Sequence, residues 1–389
     1  STTNSPQMNV AGNSDQRNAP IGSRHQTSRQ YDVDWMRTIA LILLIGYHGV
    51  ISFQFWAAEA IYFIENEEPL TWLWIPMELF NIWRIPLLFF ISGMGIQFAM
   101  ERRSIGRLLA DRTWRILFPA VIGFFLICPI NLLLYQNFYQ MESRWIPNPG
   151  HLWFLFNIFI YFLLLLPCIV LIKRYPHNSL IRWCQILTAK PWTLLSLLIV
   201  PFALEGYLLQ PEYFSLFVMT RHGFFIGMLC FFSGFFMACS TANFLSTARS
   251  LRFVTLITAV ILYAVRLLVF RLENTNNLLN GAECILWILA CIGYSSTYLN
   301  ANSRTLQILS PAVYPIYILH LPVQFALASI IFHWQLPALQ KLGLLLVGTF
   351  ISCWGLYEVV RRVPLLRPIF GMKYTIESPS ELDLRNSKS

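Results

Sequence analysis

The chain alternates between apolar runs of about 20 residues and short polar connections. About 20 apolar residues form a helix long enough to cross the hydrocarbon core of a bilayer, which is about 30 Å thick. The pattern therefore predicts an all-α bundle of about ten membrane-spanning helices. We place these helices near residues 36–57, 74–99, 115–135, 152–172, 191–209, 219–239, 252–271, 281–299, 311–332 and 343–361.

Composition supports a polytopic membrane protein. Hydrophobic residues make up 56% of the chain and charged residues only 12%, about half the charged fraction of a soluble protein. No cluster of basic residues marks a soluble face that would bind nucleic acid. The eight cysteines form no CxxC pair and lie mostly in apolar runs, which favours small buried side chains over disulfides or metal ligands.

Three segments follow from this pattern. Residues 1–30 are rich in Ser, Asn, Gln and Arg and nearly lack bulky apolar residues, so they are predicted to be a disordered tail. Residues 31–365 form the transmembrane domain. Residues 366–389 are predicted to be a C-terminal tail.

Positive charge orients the bundle. Connections on the side of the two termini carry most of the cations, whereas each connection on the other side carries at most one. The first group includes Arg102, Arg103, Arg107, Arg112, Lys173, Arg174, Arg182 and Lys190. Because Lys and Arg are retained on the cytoplasmic side, both termini are predicted to be cytoplasmic.

The first helix carries two costly polar residues, Arg37 and His48, eleven positions apart. Eleven steps of about 100° put both side chains on one helix face, about 16 Å apart along the axis. Arg37 is then at the cytoplasmic end and His48 near mid-depth. Ionisable residues at that depth usually face a cavity and are usually functional. Asp34, three residues before Arg37, lies on the same face and is expected to orient it.

Helices two and three contribute further candidates. Arg84 enters helix two from the outer side, and Ser92-Gly93 approaches its inner end. The alternative is that Arg84 extends to the outer interface and Ser-Gly permits close helix packing. Arg112 and Arg115 are three apart and can bind two phosphates, although retention of cations on the cytoplasmic side also explains much of this segment.

Two more histidines and two more charges stand out. His151 begins helix four at the outer side, where a histidine is more often a solvated interface residue. His320 lies within helix nine, where it either takes part in chemistry or makes a hydrogen bond inside the bundle. Glu205 in helix five and Arg266 in helix seven are in-membrane charges that require partners.

Five sequence elements, in order, resemble the integral-membrane acyltransferase-three family. They are Asp34-x-x-Arg37 with His48, Arg84-Ile85-Pro86-Leu87-Leu88-Phe89-Phe90-Ile91-Ser92-Gly93, Arg112-Thr113-Trp114-Arg115, His151-Leu152-Trp153-Phe154-Leu155 and Tyr314-Pro315-Ile316-Tyr317-Ile318-Leu319-His320. The resemblance covers about 31–365. Two positions depart from the family pattern, with Thr38 in place of Gly and Leu88 in place of Phe.

The resemblance implies transfer of an acyl group from cytoplasmic acyl-CoA to a hydroxyl of a cell-envelope sugar at the outer face of a bacterial inner membrane. The short segment after helix ten resembles the stand-alone type, which modifies periplasmic glucans and envelope polysaccharides. The Arg-x-Pro form of the second motif favours the glucan branch. Acetyl-CoA and succinyl-CoA are both open as the co-substrate, as are the acceptor sugar and a homo-oligomeric state.

In this hypothesis Arg112 and Arg115 bind the CoA phosphates, and Arg37 binds the CoA head or orients the pantetheine arm. Neutral His48 is the general base for the acceptor hydroxyl, and a covalent acyl-histidine relay is an alternative. Ser92, Tyr317 and His320 are candidates for oxyanion stabilisation. Arg84, His151 and Glu205 complete the group of substrate-side candidates.

Two other classes of protein share parts of this pattern. A transporter or flippase would also have about ten proline-broken helices with buried charges, but its halves should show a repeat, and none is evident. A structural or sensory membrane protein would give no reason for Arg37 and His48 to share a face.

Overall fold

The computed structural model describes residues 30–175, 178–272 and 276–373, and within them it contains helices and connections without a β-strand. Ten helices are long and apolar enough to cross a membrane, which confirms the predicted all-α architecture. The predicted N-terminal tail lies outside the described residues apart from Gln30, and so do residues 374–389 of the predicted C-terminal tail.

We number the ten spans in chain order. They are α1 (Tyr31–Ile51), α2 (Thr71–Arg102), α3 (Ile105–Phe138), α4 (Gly150–Arg174), α5 (Pro191–Leu209), α6 (Arg221–Ala238), α7 (Thr241–Leu268), α8 (Asn277–Tyr298), α9 (Arg304–Ile331) and α10 (Ala338–Arg362). Two short α-helices, Ala57–Ile61 and Ser179–Ala189, and a 3-10 turn, Pro368–Phe370, lie in the connections and after α10.

Successive spans run in opposite directions, so the bundle has two ends. We call the end where α1 begins and α10 ends the terminal face. The other end, where α1 ends and α10 begins, is the opposite face. Among the described helices, α2 packs against α6 and α1, α8 packs against α7 and α5, and α9 packs against α10 and α3.

Helix ends differ from the predicted bounds where polar residues continue a helix beyond its apolar run. Span α3 begins ten residues earlier than predicted, after Ser104, whose hydroxyl accepts the backbone N–H of Arg107 as an N-cap. Span α1 instead ends at Ile51, six residues early, because the chain turns there and Gln54 donates its side-chain N–H to the carbonyl of Val50. Apolar content marks the membrane core but not the amphipathic helix ends.

Proline shapes the middle of α3. Two π-helical turns, Thr113–Leu117 and Gly123–Ile127, interrupt the α-helix, and each precedes a proline, Pro119 or Pro129. Proline lacks an N–H and its ring clashes with the carbonyl four residues earlier, and a wider turn relieves that clash. The carbonyl freed by Pro129 belongs to Phe125, and it accepts the indole N–H of Trp145 at 3.1 Å.

Spans α2 and α6 pack backbone against backbone through two glycines. A Cβ atom at Gly93 would lie 1.9 Å from the carbonyl oxygen of Phe231, and one at Gly234 would lie 1.9 Å from that of Phe90. Small residues permit this close approach in membrane bundles, where dispersion and weak polar contacts hold helices together. Gly93 therefore permits close helix packing, which was the alternative role considered for the Ser92-Gly93 pair.

Two buried ionic groups tie helices together and supply the partners that the sequence required. Arg266 of α7 donates to Glu78 of α2 at 3.0 Å and makes a two-point contact with Glu283 of α8 at 2.9 and 3.1 Å. Glu205 of α5 lies 2.8 Å from Nδ1 of His222 in α6. Each charge is thus paired as the low dielectric demands.

The segment after α10 packs on the bundle rather than extending away from it as a tail. Arg367 and Phe370 are buried, and the carbonyl of Gly371 accepts the Nε–H of Arg115 at 3.4 Å. Residues 366–373 therefore belong structurally with the transmembrane domain.

Candidate active site

His48 and His320 form a hydrogen-bonded pair at the centre of the site. Nδ1 of His48 in α1 lies 2.9 Å from Nε2 of His320 in α9, and the two rings are nearly parallel, with an interplanar angle of 6°. Nδ1 of His320 lies 2.7 Å from the carbonyl oxygen of Tyr317. The two histidines are 272 residues apart in the chain and meet only because α1 packs beside α9.

This arrangement assigns the protons. A carbonyl only accepts, so Nδ1 of His320 carries a hydrogen and donates it to Tyr317. In a neutral His320 the other nitrogen, Nε2, must then accept, and the donor is Nδ1–H of His48. Nε2 of His48 is left unprotonated, with its lone pair available. If His320 were charged, its Nε2 would donate to His48 and the direction of this hydrogen bond would be reversed. That state would place an unpaired cation on a side chain that is 0% exposed, and the loss of hydration makes this unfavourable.

His151 joins the pair from α4. Its ring centre is 5.1 Å from that of His320 in a perpendicular arrangement, and its Nε2 lies 3.1 Å from the carbonyl of Ile318, to which it donates. Its Nδ1 is buried and has no hydrogen-bond partner among the described residues. His151 is therefore a buried member of a three-histidine group, not the solvated interface residue of the alternative.

Tyr317 holds this group together. Its hydroxyl donates a hydrogen bond to the carbonyl of His151 at 2.6 Å, and its own carbonyl accepts a hydrogen bond from Nδ1 of His320. The hydroxyl is therefore engaged with backbone in this arrangement, so Tyr317 connects α9 to the start of α4.

The histidine group lies nearer the opposite face than the predicted mid-depth position. His48 is three residues before the end of α1 and about 26 Å from its start at 1.5 Å per residue. The early end of α1 at Ile51, rather than at 57, accounts for the difference. His48 as a whole residue is also only partly buried.

The connection 52–70 folds over this end of α1. Phe63 is buried with its ring centre 5.8 Å from that of His48, and Asn66 is buried and accepts a hydrogen bond from Lys341 of α10 at 3.2 Å. Lys341, which the predicted bounds leave between helices nine and ten, is thus a buried side chain inside α10. Phe63 thus covers the ring of His48, and Asn66 ties the connection to α10.

Arg84 of α2 lies beside this group and is fully buried, which rules out the alternative that it extends to the outer interface. Its side chain is 0% exposed, and the guanidinium carbon stands 4.0 Å from the ring centre of Tyr47, the residue before His48. Arg84 is close enough for its charge to act on both His48 and His320.

A second group of cations occupies the terminal face. Arg37 pairs with Asp34 at 3.4 Å and donates to the carbonyl of Ile91 in α2 at 3.5 Å, with 38% of its side chain exposed. Helix geometry puts it about 16 Å from His48 along α1. The two residues thus mark two ends of one helix.

Arg112 lies near both Arg37 and Arg115, and the two arginines of α3 contact different neighbours. Arg112 donates to the carbonyl of Gly95 at 3.5 Å, while the exposed Arg115 reaches Gly371 after α10. The π turn that begins at Thr113 spreads their side chains, although their charges still interact with each other. The nearby Asp111 is paired with Arg103, so this end of the site has excess positive charge.

Two of the substrate-side and oxyanion candidates are not brought to the histidines. The hydroxyl of Ser92 donates to the carbonyl of Leu88 within its own helix at 2.6 Å. Glu205 is engaged with His222 in a separate part of the bundle.

Sequence reasoning did not single out Tyr47, Glu78 or Glu283. Tyr47 is adjacent to His48, which was the available signal. The two glutamates lie in apolar runs of α2 and α8. A charged side chain there is energetically unfavourable without a partner, and this could have identified them as it identified Glu205 and Arg266. Across the described ranges, no three His, Cys, Asp or Glu side chains converge as a metal site would require.

Comparison with known families gives one match. A family model described as an acyltransferase domain, that of the acyltransferase-three family, matches residues 30–358. The matched range contains both the histidine group and the terminal-face arginines. Comparisons with curated proteins and with solved structures returned no match.

Proposed function

The chain belongs to the acyltransferase-three family of membrane proteins, and on that premise we propose that it is an acyl-CoA-dependent O-acyltransferase. The proposed reaction moves an acetyl or succinyl group from cytoplasmic acyl-CoA to a hydroxyl of a cell-envelope sugar or glucan. Family membership favours this enzyme over the transporter that the sequence alone left as an alternative.

One observation carries the proposal, namely the free Nε2 of His48. The chain of hydrogen bonds from His48 through His320 to the carbonyl of Tyr317 fixes the tautomer and the ring orientation. A fixed neutral imidazole with an available lone pair is what a general base needs. His48 is also only partly buried as a residue, which suits the approach of a hydroxyl to its imidazole.

The donor side of the proposal is the terminal face, taken as cytoplasmic. Arg112 and Arg115 supply charge for the phosphates of CoA, since guanidinium groups bind phosphate through charge-assisted hydrogen bonds. Arg37 lies between these arginines and the path along α1. The pantetheine arm then carries the thioester the remaining distance of about 16 Å toward His48.

The acceptor side is the opposite face, taken as outside the inner membrane. The histidine group is nearer to this face, so the sugar needs to pass only the cover formed by the connection 52–70. In this proposal the flexible pantetheine arm spans the longer distance to His48, and the acceptor sugar spans the shorter one.

The reaction balances without a further group. Nε2 of His48 accepts the hydroxyl proton while the sugar oxygen bonds to the thioester carbonyl carbon. When the carbon–sulfur bond breaks, His48 returns the proton to the sulfur and free CoA thiol leaves. His320 accepts the hydrogen bond of His48 throughout and so holds the charged imidazole in place.

The test is His48→Ala in the full chain. We expect thiol release from acetyl-CoA or succinyl-CoA in purified membranes, with a glucan acceptor present, to fall about 10²–10⁴-fold, the usual contribution of a general base. His333→Ala is the matched control, because His333 is exposed just after the end of α9 and stacks on Phe138, away from the histidine group.

Full activity of the His48→Ala chain would exclude His48 as the base. Mass spectrometry of envelope glycans from cells with and without the protein complements the assay. A mass difference of one acetyl or one succinyl group identifies the donor, and unchanged glycans would contradict the proposed acceptor class.

A further inference from the structure

Arg84 is the largest side chain that the described part of the fold encloses completely. Its exposure is 0%, and Nε, Nη1 and Nη2 all lack a hydrogen bond of normal geometry among the described residues. A guanidinium carries five N–H donors, and leaving a buried donor unpaired costs about 1–3 kcal/mol. Such a group indicates a partner that the resting fold does not supply.

The neighbouring carboxylate is already engaged. The charge of Glu78 acts on Arg84, but its Oε2 accepts from Arg266, and its Oε1 accepts from Asn81 and Ser215. Glu78 therefore balances charge without satisfying the N–H groups of Arg84. Arg84 also lies against Tyr47, whose ring centre is 4.0 Å from the guanidinium carbon and whose hydroxyl interacts weakly with the guanidinium, without a hydrogen bond of normal geometry.

Arg266 provides an internal reference. It is also buried in the bundle, and it makes four hydrogen bonds to Glu78 and Glu283 at 2.9–3.1 Å. The fold thus gives one buried arginine four hydrogen bonds and gives the other none of normal geometry among the described residues. This contrast separates a structural ion pair from a binding group.

The position of Arg84 connects it to the histidines. Arg84 lies 18 residues before the end of α2, which places it about 27 Å from the terminal face. His48 lies at nearly the same distance from that face. Tyr47 and His48 are both partly accessible, and the Tyr47 ring covers the guanidinium. A ligand that binds Arg84 therefore has to displace the Tyr47 ring.

We propose that Arg84 binds the carboxylate at the far end of the transferred acyl group, so that the donor is a dicarboxylic half-thioester of the succinyl kind. The inference rests on the proposed acyl transfer and selects among its donors. The planar guanidinium matches a carboxylate with two parallel N–H···O bonds. The methylene groups of the acyl chain separate that carboxylate from the thioester carbon at His48.

An oxyanion at the reacting carbon fits these observations less well. Oxyanion donors must reach the atom next to the base, whereas Arg84 makes no hydrogen bond to either His48 or His320. A carboxylate two methylene groups away fits a cation that is near the imidazoles but not bonded to them. The two roles also differ in their effect on uncharged donors.

Binding to the full-length wild-type protein is the direct test and requires no acceptor. The probes are succinyl-CoA and 4-methylpentanoyl-CoA, in which an isopropyl group replaces the carboxylate at nearly equal volume. We expect succinyl-CoA to bind at least tenfold more tightly, because the uncharged acyl group would leave the buried N–H donors unpaired. Equal affinities, or tighter binding of the uncharged donor, would overturn the inference.

Arg84→Met should abolish this preference, and Arg221→Met is the matched control. Arg221 is an exposed arginine at the start of α6 on the opposite face, so its loss removes the same charge without altering the site. If Arg84→Met weakens both donors equally, the carboxylate role is wrong. If neither donor binds to the wild-type protein, the proposed acyl-CoA function itself is wrong.

Discussion

At the scale of single residues, the proposed chemistry depends on which nitrogen of His48 carries its proton. The carbonyl of Tyr317 determines this indirectly, because it forces Nδ1 of His320 to be a donor and Nε2 of His320 to be an acceptor. His320 is therefore a positioning residue for His48. A neutral imidazole here has the orienting task that a carboxylate has in other histidine-based sites.

Replacing His320 tests this positioning role. His320→Leu should lower kcat about 100-fold with the KM for acyl-CoA changed less than about twofold, because the donor-binding arginines are untouched and only the base is misaligned. His320→Gln should retain more activity, since its amide oxygen can accept the Nδ1–H of His48. Steady-state kinetics on the purified protein distinguish the two variants.

A purely structural role for His320 predicts a different result. Both variants would then lose thermal stability and folded yield together, and the glutamine would not restore kcat. Equal kcat for the leucine and glutamine variants, with normal folding, would contradict the hydrogen-bond role.

At the scale of elements, α2 carries more of the site than its sequence suggested. Its opposite-face half supplies Arg84 and Glu78, its terminal-face half supplies the carbonyls of Ile91 and Gly95 to the arginines, and Gly93 fixes its distance from α6. The position of Arg84 beside Tyr47 therefore depends on how closely α2 packs against its neighbours.

Gly234→Leu should separate α2 from α6. The new Cβ would meet the carbonyl oxygen of Phe90 at 1.9 Å, and backbone cannot give way as a flexible side chain would. We expect destabilisation of at least about 1–3 kcal/mol, measured as a lower thermal midpoint of the detergent-solubilised protein.

Gly343→Leu is the matched control for this packing test. A Cβ at Gly343 in α10 meets nothing within 4 Å, so the same substitution should leave the thermal midpoint nearly unchanged. Equal destabilisation by both variants would mean that general effects of leucine, not the α2–α6 contact, are responsible.

At the scale of the whole molecule, the two ends of the bundle have different chemistry. The terminal face concentrates arginines, and the opposite face carries the acidic first connection and the histidine group below it. This polarity suits a protein that takes an anionic donor from one side and delivers its acyl group toward the other. The orientation in the membrane stays a prediction from the distribution of cations.

Labelling of single cysteines, introduced into a chain whose eight native cysteines are replaced by alanine, tests that orientation. Glu67→Cys lies in the exposed part of the connection after α1, and Ala301→Cys lies in the exposed connection before α9. In intact cells a membrane-impermeant maleimide should label Glu67→Cys directly and Ala301→Cys only after permeabilisation. The reverse pattern would place the termini outside and contradict the proposed cytoplasmic donor side.

The sequence by itself determined the all-α class, the ten spans and the family. These properties are local, because apolar runs reflect the thickness of a membrane and the motifs are short stretches in a fixed order. It also determined that Arg37 and His48 share a helix face, since helical periodicity depends only on the number of residues between them.

Only the tertiary structure decided what those residues meet. The partner of His48 is 272 residues away, and the burial of Arg84 depends on the ring of Tyr47 and the packing of α2. His48 lies nearer the opposite face than predicted because α1 ends at Ile51, where the connection 52–70 folds back. Contacts between helices follow from how side chains fit together, and no periodicity within one helix encodes that fit.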